Sequence, residues 1–125
     1  MTGKLMMLVI GGSVGTVARY VLSGVVYQFW GTRFPYGTLI VNLFGCFLVG
    51  TLVVITEDRF LMSPNFRILL LVGFCGAFTT FSTFILETAH LIRDGQSLLA
   101  LGNVLLSVVI GFVCLKLGMV LGEII

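Results

Sequence analysis

The sequence predicts an all-α membrane protein with four transmembrane helices, the third of them broken mid-membrane. Three observations carry that prediction. Of the 125 residues, 58% are hydrophobic and only 10% charged, and the mean hydropathy of +1.18 lies far above that of an ordinary soluble domain. The apolar residues fall into four runs, each near the roughly 20 residues that cross about 30 Å of hydrocarbon as a helix. The third run contains Gly73-Phe-Cys-Gly-Ala-Phe-Thr-Thr-Phe-Ser-Thr-Phe84. Hydroxyls and pliable backbone at that depth persist only inside protein or along a wet path.

The first span is expected over about residues 5–27, where Gly11-Gly-Ser-Val-Gly15 offers the small-residue spacing that lets another helix approach closely. Its start resembles a signal sequence, but the apolar run continues through Arg19 with no small-residue cleavage site, which reads as a retained helix. The connector Gln28-Phe-Trp-Gly-Thr-Arg-Phe-Pro-Tyr36 combines turn residues with aromatics suited to the headgroup zone. A second span is expected over about 37–56. Glu57-Asp-Arg59 and Ser63-Pro-Asn65 form the next aqueous turn, with Ser63 or Asn65 as cap of the third helix, about 66–93. That helix is longer than one crossing needs. Its length, with Gly73, Gly76 and the Thr79-Thr80 pair, predicts an interruption of the kind that frees backbone carbonyls to bind an ion. After the tight turn Arg93-Asp-Gly-Gln96 comes a fourth span, about 98–121, followed by Gly122 at GxxxG spacing from Gly118. The whole chain thus reads as one transmembrane domain.

Several function classes fall away on composition. The net charge is only +2 and the basic residues are scattered from Lys4 to Lys116, so no nucleic-acid partner is expected. Cys46, Cys75 and Cys114 lie in separate apolar runs and read as inert buried thiols. His90 stands alone and the acids lie mostly in turns, so no enzyme site can be assembled. Four spans put both termini on one side, with Lys4, Arg59, Arg67 and Lys116 opposite Arg33 and Arg93, while Glu57, Asp58 and Glu123 dilute the first set. So weak a bias is compatible with insertion in both orientations, and equally with a fixed topology on a modest signal.

Each span carries polar residues at membrane depth. In the second, Thr38 and Asn42 stand one turn apart; the Asn42 amide offers either two donors that replace water around an anion or an interhelical hydrogen bond of about 1 kcal/mol. In the third, Phe78, Phe81 and Phe84 recur at three-residue spacing and are expected to share one stripe, beside Ser82 and Thr83. A phenyl ring has an electropositive edge, so two rings turned edge-on can line an anion site that binds without trapping. Arg19 in the first span and Glu87 in the third are the costly ionisable pair. Arg19 either attracts anions into a vestibule or, structurally, snorkels or ties carbonyls together, and Glu87 is either neutral, turned aside or part of a gate. Asn103 and Ser107 complete the set in the fourth span.

The segments Gly11-Gly-Ser-Val-Gly-Thr-Val-Ala-Arg-Tyr20, Gly37-Thr-Leu-Ile-Val-Asn-Leu-Phe-Gly45 and Gly73 to Phe84 resemble the signature segments of the small microbial fluoride channels, Fluc, also called CrcB. The resemblance runs over the whole chain in length, span count and motif order. It implies a homodimer of two chains inserted antiparallel in the cell membrane, two fluoride pores, and a structural sodium ion at the dimer centre. It implies a role in lowering cytoplasmic fluoride by passive export. By motif position, Phe81 and Phe84 are the edge-on rings, Asn42 the amide donor reaching the pore, and Ser82, Thr83, Thr38 and Ser107 the polar track. Gly76 and Thr79 give carbonyls to sodium, and Arg19 sits at an aqueous vestibule. Asn103 stands where some relatives are expected to carry tyrosine. Fluoride is small and a potent hydrogen-bond acceptor, so a narrow file of amide and hydroxyl donors suits it better than chloride. Four helices from one chain enclose little, which favours a dimer on geometric grounds too. Two other classes compete: a small dual-topology multidrug exporter, which normally wants an acid in the first helix where this chain has Arg19, and a non-transporting scaffold subunit, for which a phenylalanine and hydroxyl track has no use.

Overall fold

Why each helix begins and ends where it does is visible at its termini. The computed structural model describes residues Met1–Ile125 and places four helices long and apolar enough to cross a membrane: α1 (Thr2–Trp30), α2 (Tyr36–Asp58), α3 (Pro64–Arg93) and α4 (Ser97–Ile124). The chain is a multi-pass membrane protein. At the α1–α2 connection, the Trp30 and Tyr36 rings meet edge to face at 5.4 Å, holding the two helix ends together with aromatics that suit an interface. The last turn of α2, Val54–Asp58, widens to π-type bonding, so Glu57 and Asp58 are helical rather than part of the turn. Beyond it, Arg59 Nη1 donates to the Gly122 carbonyl at 3.1 Å and ties the end of α2 to the end of α4.

Ser63 caps α3: its hydroxyl accepts from the Phe66 N–H at 3.4 Å, and Pro64 takes the first helical position, where no N–H is needed. The helix widens to π-type bonding over Ile68–Cys75 and then stops. Thr79 (φ −87°, ψ 156°) and Thr80 (φ −147°, ψ 120°) are extended, and a new helix runs over Phe81–Arg93. We call residues 64–78 α3a and Phe81–Arg93 α3b. Thr80 is both part of the interruption and the cap of α3b, since its Oγ1 accepts from the Thr83 N–H at 3.3 Å. The interruption expected from Gly76 and the threonine pair is therefore present in the middle of α3. Gly95, at φ +76°, turns the chain into α4.

Two seams hold the helices. Along α1 and α3a, a Cβ on Gly11 or Gly15 would collide with the backbone carbonyls of Leu69 and Phe74. Along α2 and α4, the same is true of Gly50 against Leu115 and of Gly118 against Phe47. Absent side chains bring the backbones into contact, so dispersion and short polar contacts act where lipid gives no hydrophobic drive. At the second seam, Thr51 Oγ1 donates to the Gly118 carbonyl at 3.0 Å. Most large apolar side chains, from Val9 and Val17 to Phe112 and Val120, point outward, as a surface facing lipid or another protein chain requires.

The expected stripe of three phenylalanines is not continuous. Phe78 is 2% exposed and stacks on Phe74 at 5.4 Å, with Phe44 edge-on at 6.1 Å. Phe81, three residues on, is 74% exposed. Three-residue spacing keeps side chains on one face only in an unbroken helix, and the extended pair Thr79-Thr80 intervenes.

Candidate functional site

The helix break is held open by a side chain from another helix. Asn42 of α2 uses both faces of its amide on the Thr80 peptide: Nδ2 donates to the Thr80 carbonyl at 3.0 Å, and Oδ1 accepts from the Thr80 N–H at 2.8 Å. An extended residue in the middle of a membrane helix leaves backbone groups without helical partners, and an amide is the side chain that satisfies both at once. One Nδ2 proton remains uncommitted. The Thr80 N–H would pair with the Gly76 carbonyl in a continuous helix, so its turn to Asn42 leaves that carbonyl without its helical donor. The last bond before the break runs from the Thr79 N–H to the Cys75 carbonyl at 3.1 Å, seconded by Thr79 Oγ1 at 2.9 Å. A Cβ added at Gly76 would meet no atom within 4 Å, so this surface faces outward from the chain.

Beside the break lies a groove of about 340 Å³ lined by Asn42, Thr79, Thr80, Phe81, Phe84 and Ser107 among others. The Phe81 and Phe84 rings are 6.0 Å apart and inclined at 53°. Phe84 is 8% exposed, whereas Phe81 opens the groove to the outside. The Ser107 hydroxyl oxygen is buried and has no hydrogen-bond partner; it is a donor held in place with nothing to donate to. The groove thus brings together five of the candidate site residues named from sequence, namely Asn42, Thr79, Phe81, Phe84 and Ser107.

The remaining candidates stand elsewhere. Ser82 is exposed and outside the groove, because one residue along a helix turns a side chain by about 100° from Phe81. Thr83 is half-buried and engaged in the cap, its Oγ1 accepting from Thr80 Oγ1 at 3.0 Å. Thr38 is buried one turn before Asn42 and donates to Glu87 Oε1 at 2.6 Å, while Tyr27 donates to Glu87 Oε2 at 3.2 Å. Of the alternatives open for Glu87, the structure has the carboxylate turned aside onto two hydroxyls. Beyond it lies a second, more polar cavity of about 290 Å³, whose lining includes Tyr27, Arg33, Glu87, His90, Asp94 and Gln96. Arg19 lines neither cavity; it is half-buried on α1 and pairs with no carboxylate. Arg33, read from sequence only as a loop charge, is the arginine at the polar cavity.

Sequence reasoning also missed a buried knot. Asn103 of α4 is 1% exposed and its Nδ2 donates to Thr88 Oγ1 at 3.0 Å; that hydroxyl donates to the Phe84 carbonyl at 2.7 Å. A polar residue in an apolar span was the only available sign. No group of three His, Cys, Asp or Glu side chains is placed to hold a metal ion.

Residues 6–119 match the family described as CrcB-like protein, Camphor Resistance (CrcB). The chain belongs to the CrcB family. Among its CrcB-related proteins, one from Desulforapulum autotrophicum is 46% identical over 125 residues, all of both chains. One from Solidesulfovibrio magneticus is 45% identical over the full length of both. A third, from Magnetococcus marinus, is 48% identical over 116 residues, 93% of this chain and 94% of its own. All three bear the name fluoride-specific ion channel FluC. The match embraces every element of the groove, from Asn42 to Ser107.

Proposed function

We propose that this CrcB-family protein is a fluoride-selective channel that lets fluoride leave the cell passively and so lowers its cytoplasmic concentration. The observation that carries the reading is the groove beside the α3 break. It holds an uncommitted amide proton on Asn42, an unpartnered hydroxyl on Ser107, and the rings of Phe81 and Phe84, with no cationic side chain among its lining. Such a site offers donors and ring edges to an anion without a charge that would trap it. Fluoride gains most from short, strong hydrogen bonds. The names of the relatives point the same way, and the family they name is one of channels rather than enzymes or exporters.

In this reading Phe81 and Phe84 present their edges to the ion, Asn42 and Ser107 exchange donors with its water, and Thr38 leads toward the polar cavity. Ser82, exposed on α3b, and Thr83, beside the Thr80 cap, extend the polar track along the same turn. The working unit is an antiparallel homodimer of two chains inserted in opposite orientations, with two pores. A groove open along one side and a surface rich in outward apolar side chains support a partner chain, and the weak charge bias permits both orientations. The exposed break supports a sodium ion at the dimer centre. The Gly76 and Thr79 carbonyls are hard oxygen donors at an interrupted helix, a donor type that suits sodium, and one chain alone supplies too few of them. When bound, the ion would supply positive charge at the centre of the dimer. Arg19 belongs to an aqueous vestibule formed only in the dimer.

The test is fluoride efflux from liposomes containing the purified protein, read with a fluoride electrode and with chloride as control. Rapid fluoride release without chloride leakage is expected; no efflux, or equal chloride leakage, would sink the reading. Phe81→Ile and Phe84→Ile should each cut fluoride flux strongly while dimers still form. For the dual orientation, Gln96→Cys in a background lacking the three native cysteines should label from both faces of the membrane. Labelling from one face only would rule it out.

A further inference from the structure

The groove needs two helices in register. Phe84 and Thr88 lie four residues apart on α3b, and Asn103 and Ser107 lie four apart on α4, so each pair occupies one face of its helix. The two helices run antiparallel through the turn at Gly95. Pairing Thr88 with Asn103 therefore sets Phe84 opposite Ser107, one turn nearer the break, where both line the groove.

We infer that Asn103 is a positioning residue for conduction: its hydrogen bond to Thr88 pins the register of α4 against α3b and thereby places the Ser107 hydroxyl at the phenylalanine site. Three observations support this. Asn103 is almost wholly buried and donates at 3.0 Å to Thr88. Thr88 passes the constraint on at 2.7 Å to the backbone of Phe84 itself. Apart from the backbone bond at the turn, from the Gln96 N–H to the Leu91 carbonyl at 2.8 Å, the α3b–α4 contacts offer no other hydrogen bond, so within the membrane span Asn103 is the one polar contact that fixes their sliding. A buried amide at one position of an otherwise apolar seam is a device for choosing one register among several that van der Waals packing alone permits. Asn103 does not touch the ion in this scheme; it acts through where Ser107 stands.

This inference rests on the fluoride reading, and the experiment separates the two. Fluoride and chloride efflux are measured for the wild type, Asn103→Leu, Thr88→Val, Thr88→Ser, Ser107→Ala and the double variant Asn103→Leu with Ser107→Ala, each first checked for dimers by gel filtration. Asn103→Leu and Thr88→Val should each lower fluoride flux by about 3- to 20-fold, the range that hydrogen bonds between membrane helices convert to. Thr88→Ser, which keeps the hydroxyl, should restore it. In the Ser107→Ala background Asn103→Leu should add little, because its effect runs through that hydroxyl; a general packing defect would instead multiply with it. If Asn103→Leu does not fold, Thr88→Val, which exchanges a hydroxyl for a methyl, carries the same comparison. Unchanged flux in Thr88→Val, or full multiplication in the double variant, overturns the inference while leaving the channel reading intact. Absence of efflux from the wild type overturns both.

Discussion

The two halves of α3 are packed by different physics. α3a meets α1 through glycine: Gly11 and Gly15 bring backbone against backbone, and the seam has no side-chain hydrogen bond across it. α3b meets α2 and α4 through hydrogen bonds, from Asn42 to Thr80, Thr38 to Glu87 and Asn103 to Thr88. Close glycine contact fixes how near two helices lie. A directional bond fixes how far one has slid along the other. The half that carries the groove is the half with the second kind of control, which sets where the groove's donors stand.

Three substitutions break or sharpen that contrast. The largest effect is expected from Gly15→Val, whose branched side chain would drive into the Phe74 carbonyl with only backbone to yield. Overpacking of this sort costs about 1–3 kcal/mol or more, and the variant should lose its fold, seen as early melting and as aggregate in gel filtration. Next is Asn42→Leu, which strips both partners from the Thr80 peptide. Each unpaired group costs about 1–3 kcal/mol, yet the α1–α3a seam is untouched. The variant should therefore still fold, at lower melting temperature, while fluoride efflux falls by about tenfold or more. A variant of normal flux would show that the break needs no clamp. The smallest is Arg67→Ala, which removes an exposed pair with Glu57 at the α2–α3 turn. Surface pairs are worth about 0–1 kcal/mol, so neither melting temperature nor flux should move measurably at physiological salt.

Legibility in the sequence divides along the same line. Hydropathy is a local quantity, so the four spans stood out, with ends shifted by a few residues where helices continue into the interface at Trp30 and Asp58. The break was legible because its causes, Gly76 and the threonine pair, are also local. Partners were not. Asn42 and Thr80 lie 38 residues apart, Thr38 and Glu87 49 apart, and nothing in one chain's pattern says which amide meets which peptide. Phe78 was assigned to the wrong face because periodicity was carried across a break that resets it. Arg19 drew attention for its depth, whereas Arg33 gained its place at the polar cavity from the folding back of the α1–α2 turn, which no spacing records.

The extended pair Thr79-Thr80 also acts as a rotary joint. Two helical residues would have advanced the screw by about 200° and about 3 Å; two extended ones lengthen the chain more, by about 6.6 Å, and turn it by an amount set by their own dihedral angles. That resetting is why Phe78 can point into the α1–α2 core while Phe81, three residues later, points out. The rotation of α3b relative to α3a is thus set at two threonines and the amide that grips one of them. Lengthening or shortening that joint by one residue would leave every helix intact and aim the rings of α3b somewhere else.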